Sequence, residues 1–146
     1  MLRELDIPPL WLVIFAALGW ALGALAPLPL PLGREIGWSL AGLGVALMLT
    51  AAAQMVLMRT TFIPRRDPEA LVTSGVFALS RNPIYLGDTL LLAGLMLLWE
   101  APLGLPLVPA FMAFITRRYI LAEEARIAAR FGPAYAAYCA RTRRWL

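Results

Sequence analysis

The sequence predicts an all-α integral membrane helical bundle of about four transmembrane helices, followed by a cytoplasmic amphipathic C-terminal helix. Composition is the first observation behind this fold class: of 146 residues, 61% are hydrophobic and 15% are charged, with a mean hydropathy of +0.74. A soluble domain carries roughly 25% charged residues, so this composition indicates an integral membrane protein. The second observation is that the apolar residues fall into long uninterrupted runs separated by short polar turns.

Two long apolar runs predict the first two transmembrane helices. Leu10–Ala26 is the first, and the prolines that follow end it because proline lacks the backbone donor. Gly19 and Gly23 form a GxxxG spacing within it, which lets another helix pack closely. Ile36–Met58 is the second, with 23 uncharged residues, enough to cross a hydrocarbon core of ~30 Å.

The second half of the chain alternates polar and apolar segments. Residues 59–81 are rich in arginine and proline and predict a structured interfacial loop. Two shorter apolar runs, Ile84–Trp99 and Ala101–Thr116, predict a helical hairpin, although sixteen residues make only ~24 Å of helix. Arg117–Phe131 predicts the amphipathic helix, which Gly132-Pro133 should end.

The arginines predict the orientation. Eleven of the 13 lie at residue 59 or later, and none lies in the turn at Glu100. By the positive-inside rule, the loop and both termini are cytoplasmic, in what we expect to be a bacterial inner membrane. We expect one membrane domain over 1–146, with a two-span hairpin over 1–58 and a cofactor-binding region over 59–146. The basic excess should contact lipid headgroups rather than nucleic acid.

Two features of the composition narrow the possible chemistry. The chain has no histidine, which excludes imidazole catalysis, haem ligation by histidine and zinc sites that need histidine. Cys139 is the single cysteine, so it forms no intramolecular disulfide and cannot build a thiolate metal site alone. No metal site is expected.

Polar residues in and beside the later apolar runs are the candidates for function. The segment Ser80–Asn82, which we call the elbow, precedes Pro83, and its asparagine is a preferred N-cap for a helix that starts with proline. Asp88 lies inside the run, where an ionisable group costs roughly 2.5–3.5 kcal/mol and usually faces a cavity or a partner. An arginine partner and a ligand explain Asp88 equally well. Glu124 raises the same question on the apolar stripe of the C-terminal helix, and Arg117 is its simplest partner.

These residues belong to an ordered set of motifs. The sequence resembles the isoprenylcysteine carboxyl methyltransferase and phospholipid methyltransferase group of membrane enzymes from about residue 60 to residue 145. The family pattern often has Arg-His-Pro where this chain has Arg81-Asn82-Pro83; asparagine keeps a hydrogen-bond donor but cannot act as an acid or base. The resemblance rests on residues 71–77, residues 80–87, Glu123-Glu124, residues 131–135 with Tyr138, and residues 143–145.

The resemblance implies an S-adenosylmethionine-dependent methyltransferase, with 59–146 as its methyltransferase-like region. Its substrate would be small or lipophilic, a carboxylate, amine, phenol or thiol reached from the bilayer. Arg81, at a helix N-terminus, is the candidate to hold the cofactor carboxylate. Asp88 is the candidate base for any acceptor other than a carboxylate, and these two are the candidate catalytic residues.

The remaining candidates contact the cofactor. Either glutamate of the acidic pair suits the cofactor's ammonium or ribose hydroxyls, and the tyrosines suit packing against adenine. The residues expected to bind the cofactor are Gly75, Arg81, Asn82, Pro83, Tyr85, Leu86, Glu123, Glu124, Tyr135 and Tyr138.

Two other functions fit the sequence less well. Sterol reductases resemble this group in their bundle and tail, so an NADPH-dependent reductase-like membrane enzyme is one alternative. The other is a small non-enzymatic membrane protein whose arginines serve only its topology. The first should bind NADPH, whereas the second should bind no cofactor and tolerate Glu124→Ala.

Overall fold

The computed structural model describes residues 7–60 and 69–146, and within these ranges the chain is helical with no strand. This confirms the all-α prediction. Single 3₁₀ turns lie at Gly75–Ala78 and Pro102–Gly104. The arginine-rich part of the predicted loop over 61–68 lies outside the described residues. The described residues form five α-helices: α1 (Pro8–Leu25), α2 (Gly33–Leu57), α3 (Pro83–Leu98), α4 (Leu107–Ile115) and α5 (Leu121–Arg141).

The described helices have the length and composition of a membrane bundle. Among them α1, α2 and the stretch Pro102–Arg141, which contains α4 and α5, are long and apolar enough to cross a membrane. The apolar helix α3 is shorter, with 16 residues. The prediction of a membrane helical bundle is confirmed, and the boundaries of the first three apolar runs agree with α1, α2 and α3 to within a few residues. The fourth run was predicted from Ala101, but α4 begins at Leu107, after the 3₁₀ turn at Pro102–Gly104.

The predicted boundary between the last apolar run and the amphipathic helix differs from the structure. Thr116–Ile120 forms one π-helical turn that joins α4 to α5 without a break. The predicted helix end at Gly132 is present as a kink, because Gly132 has φ 47° and ψ −120° inside α5. Beyond Pro133 the chain becomes helical again up to Arg141, which brings Tyr135 and Tyr138 onto one face.

Glycines bring α2 and α3 into backbone contact, and this is the most extensive helix pair in the bundle. A Cβ atom on Gly44 would lie 2.5 Å from the carbonyl oxygen of Gly87, and a Cβ atom on Gly87 would lie 2.6 Å from that of Gly44. The same relation recurs further along, where a Cβ atom on Gly94 would lie 2.6 Å from the Gly37 carbonyl oxygen. This contact fixes α3, and hence the elbow, against α2.

The first helix packs on α3 through the predicted GxxxG face. Gly19 and Gly23 are buried, and their faces meet Met96 and the Trp99 carbonyl oxygen. Next to this contact, Phe15 of α1 stacks edge-on against Phe111 of α4, with ring centroids 5.3 Å apart. The buried core around these contacts consists of Tyr85, Leu92, Met96, Phe111, Ile115, Tyr119 and Ile120.

The connections show which ends of the helices lie together. The Leu28 N–H, between α1 and α2, donates to the Glu100 carbonyl oxygen, between α3 and α4, at 2.8 Å. Both turns therefore lie at one end of the bundle. The start of α1, the elbow and the end of α5 lie at the opposite end, where Ile7 and Tyr138 border a common cavity.

Candidate functional site

The elbow is shaped by buried backbone and short polar side chains. Ser80 is fully buried, and its Oγ accepts from the Asn82 N–H at 3.1 Å. Pro83 is the first residue of α3, where its missing N–H costs no hydrogen bond. Asn82 occupies the N-cap position, but its side chain does not cap the helix. Its Nδ2 instead donates to the Arg144 carbonyl oxygen at 3.1 Å, which corrects the predicted capping role.

The last residues of the chain lie along the elbow and form what we call the strap, Thr142–Arg144. The Arg81 N–H donates to the Arg143 carbonyl oxygen at 2.9 Å. The Ser80 hydroxyl donates to the Arg144 carbonyl oxygen at 3.2 Å. One turn earlier, the Tyr138 hydroxyl donates to the Phe77 carbonyl oxygen. These bonds join the C-terminal end of α5 to the chain segment that starts α3.

A cavity of about 550 Å³ opens beside the elbow. Its volume lies within the range of small-molecule sites, ~300–1,000 Å³. One part of its wall is polar and carries both charge signs, whereas the rest is apolar. The polar lining consists of Thr60, Arg81, Asn82, Tyr85, Asp88, Glu123, Glu124, Arg126, Tyr135 and Tyr138, and the apolar lining includes Ile7, Pro8, Met48, Met55, Leu71, Val72, Phe77, Pro83, Ile84, Ile127 and Phe131.

The structure brings the predicted site residues together around this cavity, apart from Gly75 and Leu86. Gly75 has φ +58°, and a Cβ atom there would lie 2.6 Å from the side-chain amide of Gln54. That amide donates to the Ser74 carbonyl oxygen at 2.7 Å, so the glycine fits a turn that α2 holds. Leu86 is buried in α3, one position round the helix from Tyr85 and away from the lining.

Glu124 is the centre of the charged part of the cavity. Arg144 donates to it from two nitrogens, Nε to Oε1 at 3.0 Å and Nη2 to Oε2 at 2.7 Å. Arg81 contacts the same Oε1 through Nη2 at 3.2 Å. Arg117, the partner expected from the sequence, is exposed and borders a different surface depression. Glu124 therefore pairs with cations from the elbow and the strap rather than from its own helix.

The hydrogen bond to Glu124 has an electrostatic consequence for Arg144. It raises the pKa of the Arg144 guanidinium above its already high ordinary value. The group therefore stays charged at any working pH. The cluster of two guanidinium groups and one carboxylate keeps a positive formal excess beside the cavity.

Arg81 has donor capacity that the described residues do not use. Its side chain is 14% exposed; Nη2 contacts Glu124, and Nη1 contacts the Cys139 sulfur. Its buried Nε has no hydrogen-bond partner among residues 7–60 and 69–146. A buried donor left unpaired costs ~1–3 kcal/mol. The Arg81 side chain borders the cavity, and its planar guanidinium suits an anionic ligand there. The donor set therefore fits the carboxylate of an amino-acid moiety.

A second polar group lies deeper along α3. The Tyr85 hydroxyl donates to Glu123 Oε1 at 2.9 Å and so links α3 to α5. Asp88 follows three residues later on the same helix face and is 6% exposed. Within the described part of the chain, no arginine pairs with the Asp88 carboxylate, which lines the cavity.

Sequence reasoning missed Arg144 as an individual site residue. The motif at residues 143–145 is visible in the sequence, but nothing there tells which of the 13 arginines approaches Glu124. A carboxylate on an apolar helix stripe signals that some cation must face it. Only the path of the strap across the elbow identifies that cation.

Comparison with known proteins identifies the family of the chain. A family model described as phospholipid methyltransferase matches residues 33–134, from the start of α2 into α5. No curated protein and no solved structure matches the chain. The match covers more than half of the chain and confirms the family resemblance that the motifs predict. The chain belongs to the phospholipid methyltransferase family, and this membership implies a methyltransferase that acts on membrane substrates.

Proposed function

We propose that the protein transfers a methyl group from S-adenosylmethionine, bound in the cavity beside the elbow, to a small or lipophilic acceptor that enters from the bilayer. One observation carries the proposal: a single cavity of about 550 Å³ combines a charged wall of both signs with an extended apolar wall. Family membership favours methyl transfer over the reductase-like and non-enzymatic alternatives.

The charged wall suits the zwitterionic amino-acid end of the cofactor. Arg81 lines the cavity with a guanidinium that its contact with Glu124 already orients. Such a fork binds a carboxylate more specifically than a single point charge does. Glu123, oriented by the Tyr85 hydroxyl, is a carboxylate on the same cavity wall for the ammonium group or the ribose hydroxyls.

The tail tyrosines suit the flat part of the cofactor. Tyr135 and Tyr138 both line the cavity, and their ring centroids lie 6.2 Å apart. Aromatic faces at this spacing give an adenine ring an apolar surface to pack against. The Tyr138 hydroxyl is already bonded to the Phe77 carbonyl oxygen, so its ring orientation is fixed before any ligand binds.

The residues around the acceptor would orient it and exclude water. When bound, S-adenosylmethionine would supply an electrophilic methyl group: the acceptor's lone pair would form a bond to the methyl carbon in line with the S–CH₃ bond, whose electrons stay on the departing sulfur. The apolar wall would exclude water from the acceptor and align it with the methyl group. Alignment and desolvation supply most of the rate enhancement in such displacements. Asp88, buried on the cavity wall, is placed to take a proton from an amine, phenol or thiol acceptor.

Calorimetric titration of the detergent-purified protein with S-adenosylhomocysteine tests the cofactor, with NADPH as the matched alternative. Binding of S-adenosylhomocysteine alone is expected. A labelled-methyl assay on a membrane lipid extract then tests transfer, and label is expected in the lipid phase. Binding of NADPH alone would favour the reductase-like alternative, and binding of neither ligand would favour a non-enzymatic role.

A further inference from the structure

Arg144 connects the two halves of the candidate site through its backbone and its side chain. Its carbonyl oxygen accepts hydrogen bonds from Ser80 Oγ and Asn82 Nδ2, the residues on either side of Arg81. Its guanidinium donates two hydrogen bonds to Glu124 on α5. The position of this guanidinium relative to Arg81 is therefore fixed from both sides, although the residue lies in the strap, beyond the matched family segment 33–134.

The second cation changes the electrostatics of the pair that it joins. An isolated Arg81–Glu124 pair would be neutral, and Glu124 would be free to offer both oxygens to Arg81. Arg144 instead bonds Oε2 and shares Oε1, and Arg81 contacts that same Oε1 through Nη2 alone. The three groups together carry one positive charge in excess, in a sheltered place where Glu124 is 15% exposed. Opposite charges attract more strongly there than in bulk water.

We propose that Arg144 is a positioning residue that holds Glu124 and Arg81 so that their cluster forms a net-positive site for the carboxylate of the cofactor's amino-acid moiety. This inference rests on the proposed function. It assigns to the strap a part in cofactor recognition, in addition to its packing on the elbow. Arg144 acts through Glu124 and Arg81 and through the local charge.

Two ligands that differ only in the amino-acid moiety test the inference. S-adenosylhomocysteine carries the carboxylate and the ammonium group, whereas 5′-methylthioadenosine lacks both. Arg144→Ala is expected to weaken S-adenosylhomocysteine binding at least tenfold, or ~1.4 kcal/mol, and to leave 5′-methylthioadenosine binding within about twofold. Removing the Arg144 charge would strengthen binding of the ligand's ammonium group, because like charges repel. A loss of affinity confined to S-adenosylhomocysteine would therefore show that Arg144 supports binding of the carboxylate.

Two further variants distinguish the charge of Arg144 from the shape of its guanidinium, and both from the total charge of the protein. Arg144→Lys keeps the charge but loses the two-nitrogen fork, so an intermediate affinity for S-adenosylhomocysteine is expected. Arg141→Ala removes the same charge from an exposed position three residues earlier, and wild-type affinity for both ligands is expected. In the methyl-transfer assay, Arg144→Ala should raise KM for S-adenosylmethionine more than it lowers kcat.

The outcomes are distinguishable. If the wild type binds neither ligand, the proposed function fails and the inference fails with it. If the wild type binds both but Arg144→Ala weakens both equally, Arg144 has only a structural role and the inference alone is overturned. Equal binding of S-adenosylhomocysteine by Arg144→Ala and wild type overturns it as well. Should Arg144→Ala fail to fold, Arg144→Gln, which keeps donors without the charge, takes its place with the same expected selectivity.

Discussion

At the scale of single residues, the site depends on side chains that bond the backbone of a distant segment. Asn82 shows this best, because its amide reaches the Arg144 carbonyl oxygen, 62 positions away in the chain, instead of capping α3. A histidine ring N–H could donate to the same carbonyl oxygen, which explains how asparagine can occupy a position where the family often has histidine. We therefore predict that this position requires a hydrogen-bond donor rather than an acid or base.

We predict that Asn82→Asp destabilises the protein and weakens S-adenosylhomocysteine binding, while Asn82→His stays closer to wild type. Aspartate brings no donor to the Arg144 carbonyl oxygen, which would keep only the Ser80 hydroxyl, and losing one such hydrogen bond costs about 0.5–1.5 kcal/mol. Thermal unfolding in detergent measures the first effect and calorimetry the second. Aspartate is a good N-cap, so wild-type stability in Asn82→Asp would show that capping, and not the bond to the strap, is the role of this residue.

Asp88 is the residue whose role bears most on the acceptor. We predict that Asp88→Asn keeps S-adenosylhomocysteine affinity within about twofold but lowers methyl transfer to an amine, phenol or thiol acceptor at least tenfold. The variant removes a proton acceptor, and positioned bases contribute ~10²–10⁴ in rate. The labelled-methyl assay measures this effect. An unchanged rate with such an acceptor would exclude Asp88 as the base.

At the scale of elements, the glycine contact between α2 and α3 places the elbow. Gly37, Gly44, Gly87 and Gly94 let the two backbones touch, and α3 begins at the elbow. The sequence predicts the apolar runs well because span length and proline positions limit where such helices can begin and end. It predicts the α4–α5 junction poorly. The sequence changes there from apolar to polar residues, which suggests a helix boundary, but a π turn continues the helical hydrogen bonding across the change.

We predict that Gly44→Ala lowers the unfolding temperature in detergent, whereas Gly42→Ala on the same helix leaves it unchanged or slightly higher. A Cβ atom on Gly44 would lie 2.5 Å from the Gly87 carbonyl oxygen and 2.8 Å from the Leu91 nitrogen, both backbone atoms. Overpacking of this kind typically costs ~1–3 kcal/mol. A Cβ atom on Gly42 meets nothing within 4 Å. Equal unfolding temperatures for the two variants would mean that α2 and α3 separate readily.

At the scale of the whole molecule, both termini of the described chain approach the same cavity. Ile7 at the start of α1 and Tyr138 near the end of α5 border it, while the Leu28–Glu100 hydrogen bond joins turns at the other end of the bundle. The sequence motifs predicted most of the polar residues that line this cavity. They could not predict Arg144, because the pairing of distant charges depends on the three-dimensional path of the strap.

We predict that a cytoplasm-active reporter fused after Leu146 is active, and that one inserted in the Glu100 turn is not. The physical reason is the concentration of arginines in residues 59–81 and after Thr116, with none in that turn. Activity of the C-terminal fusion on the opposite side of the membrane would reverse the proposed orientation. It would also place the cavity away from the cytoplasmic supply of S-adenosylmethionine.

The most direct test of the central claim is the affinity of S-adenosylhomocysteine for wild type and Arg81→Ala, measured by calorimetry on folded protein in detergent. Arg81 borders the cavity, contacts Glu124 and holds the unpaired Nε donor. We predict that the wild type binds S-adenosylhomocysteine and that Arg81→Ala binds it at least tenfold more weakly, ~1.4 kcal/mol, with 5′-methylthioadenosine less affected. Equal affinity of the two proteins for S-adenosylhomocysteine would show that Arg81 does not hold the cofactor carboxylate.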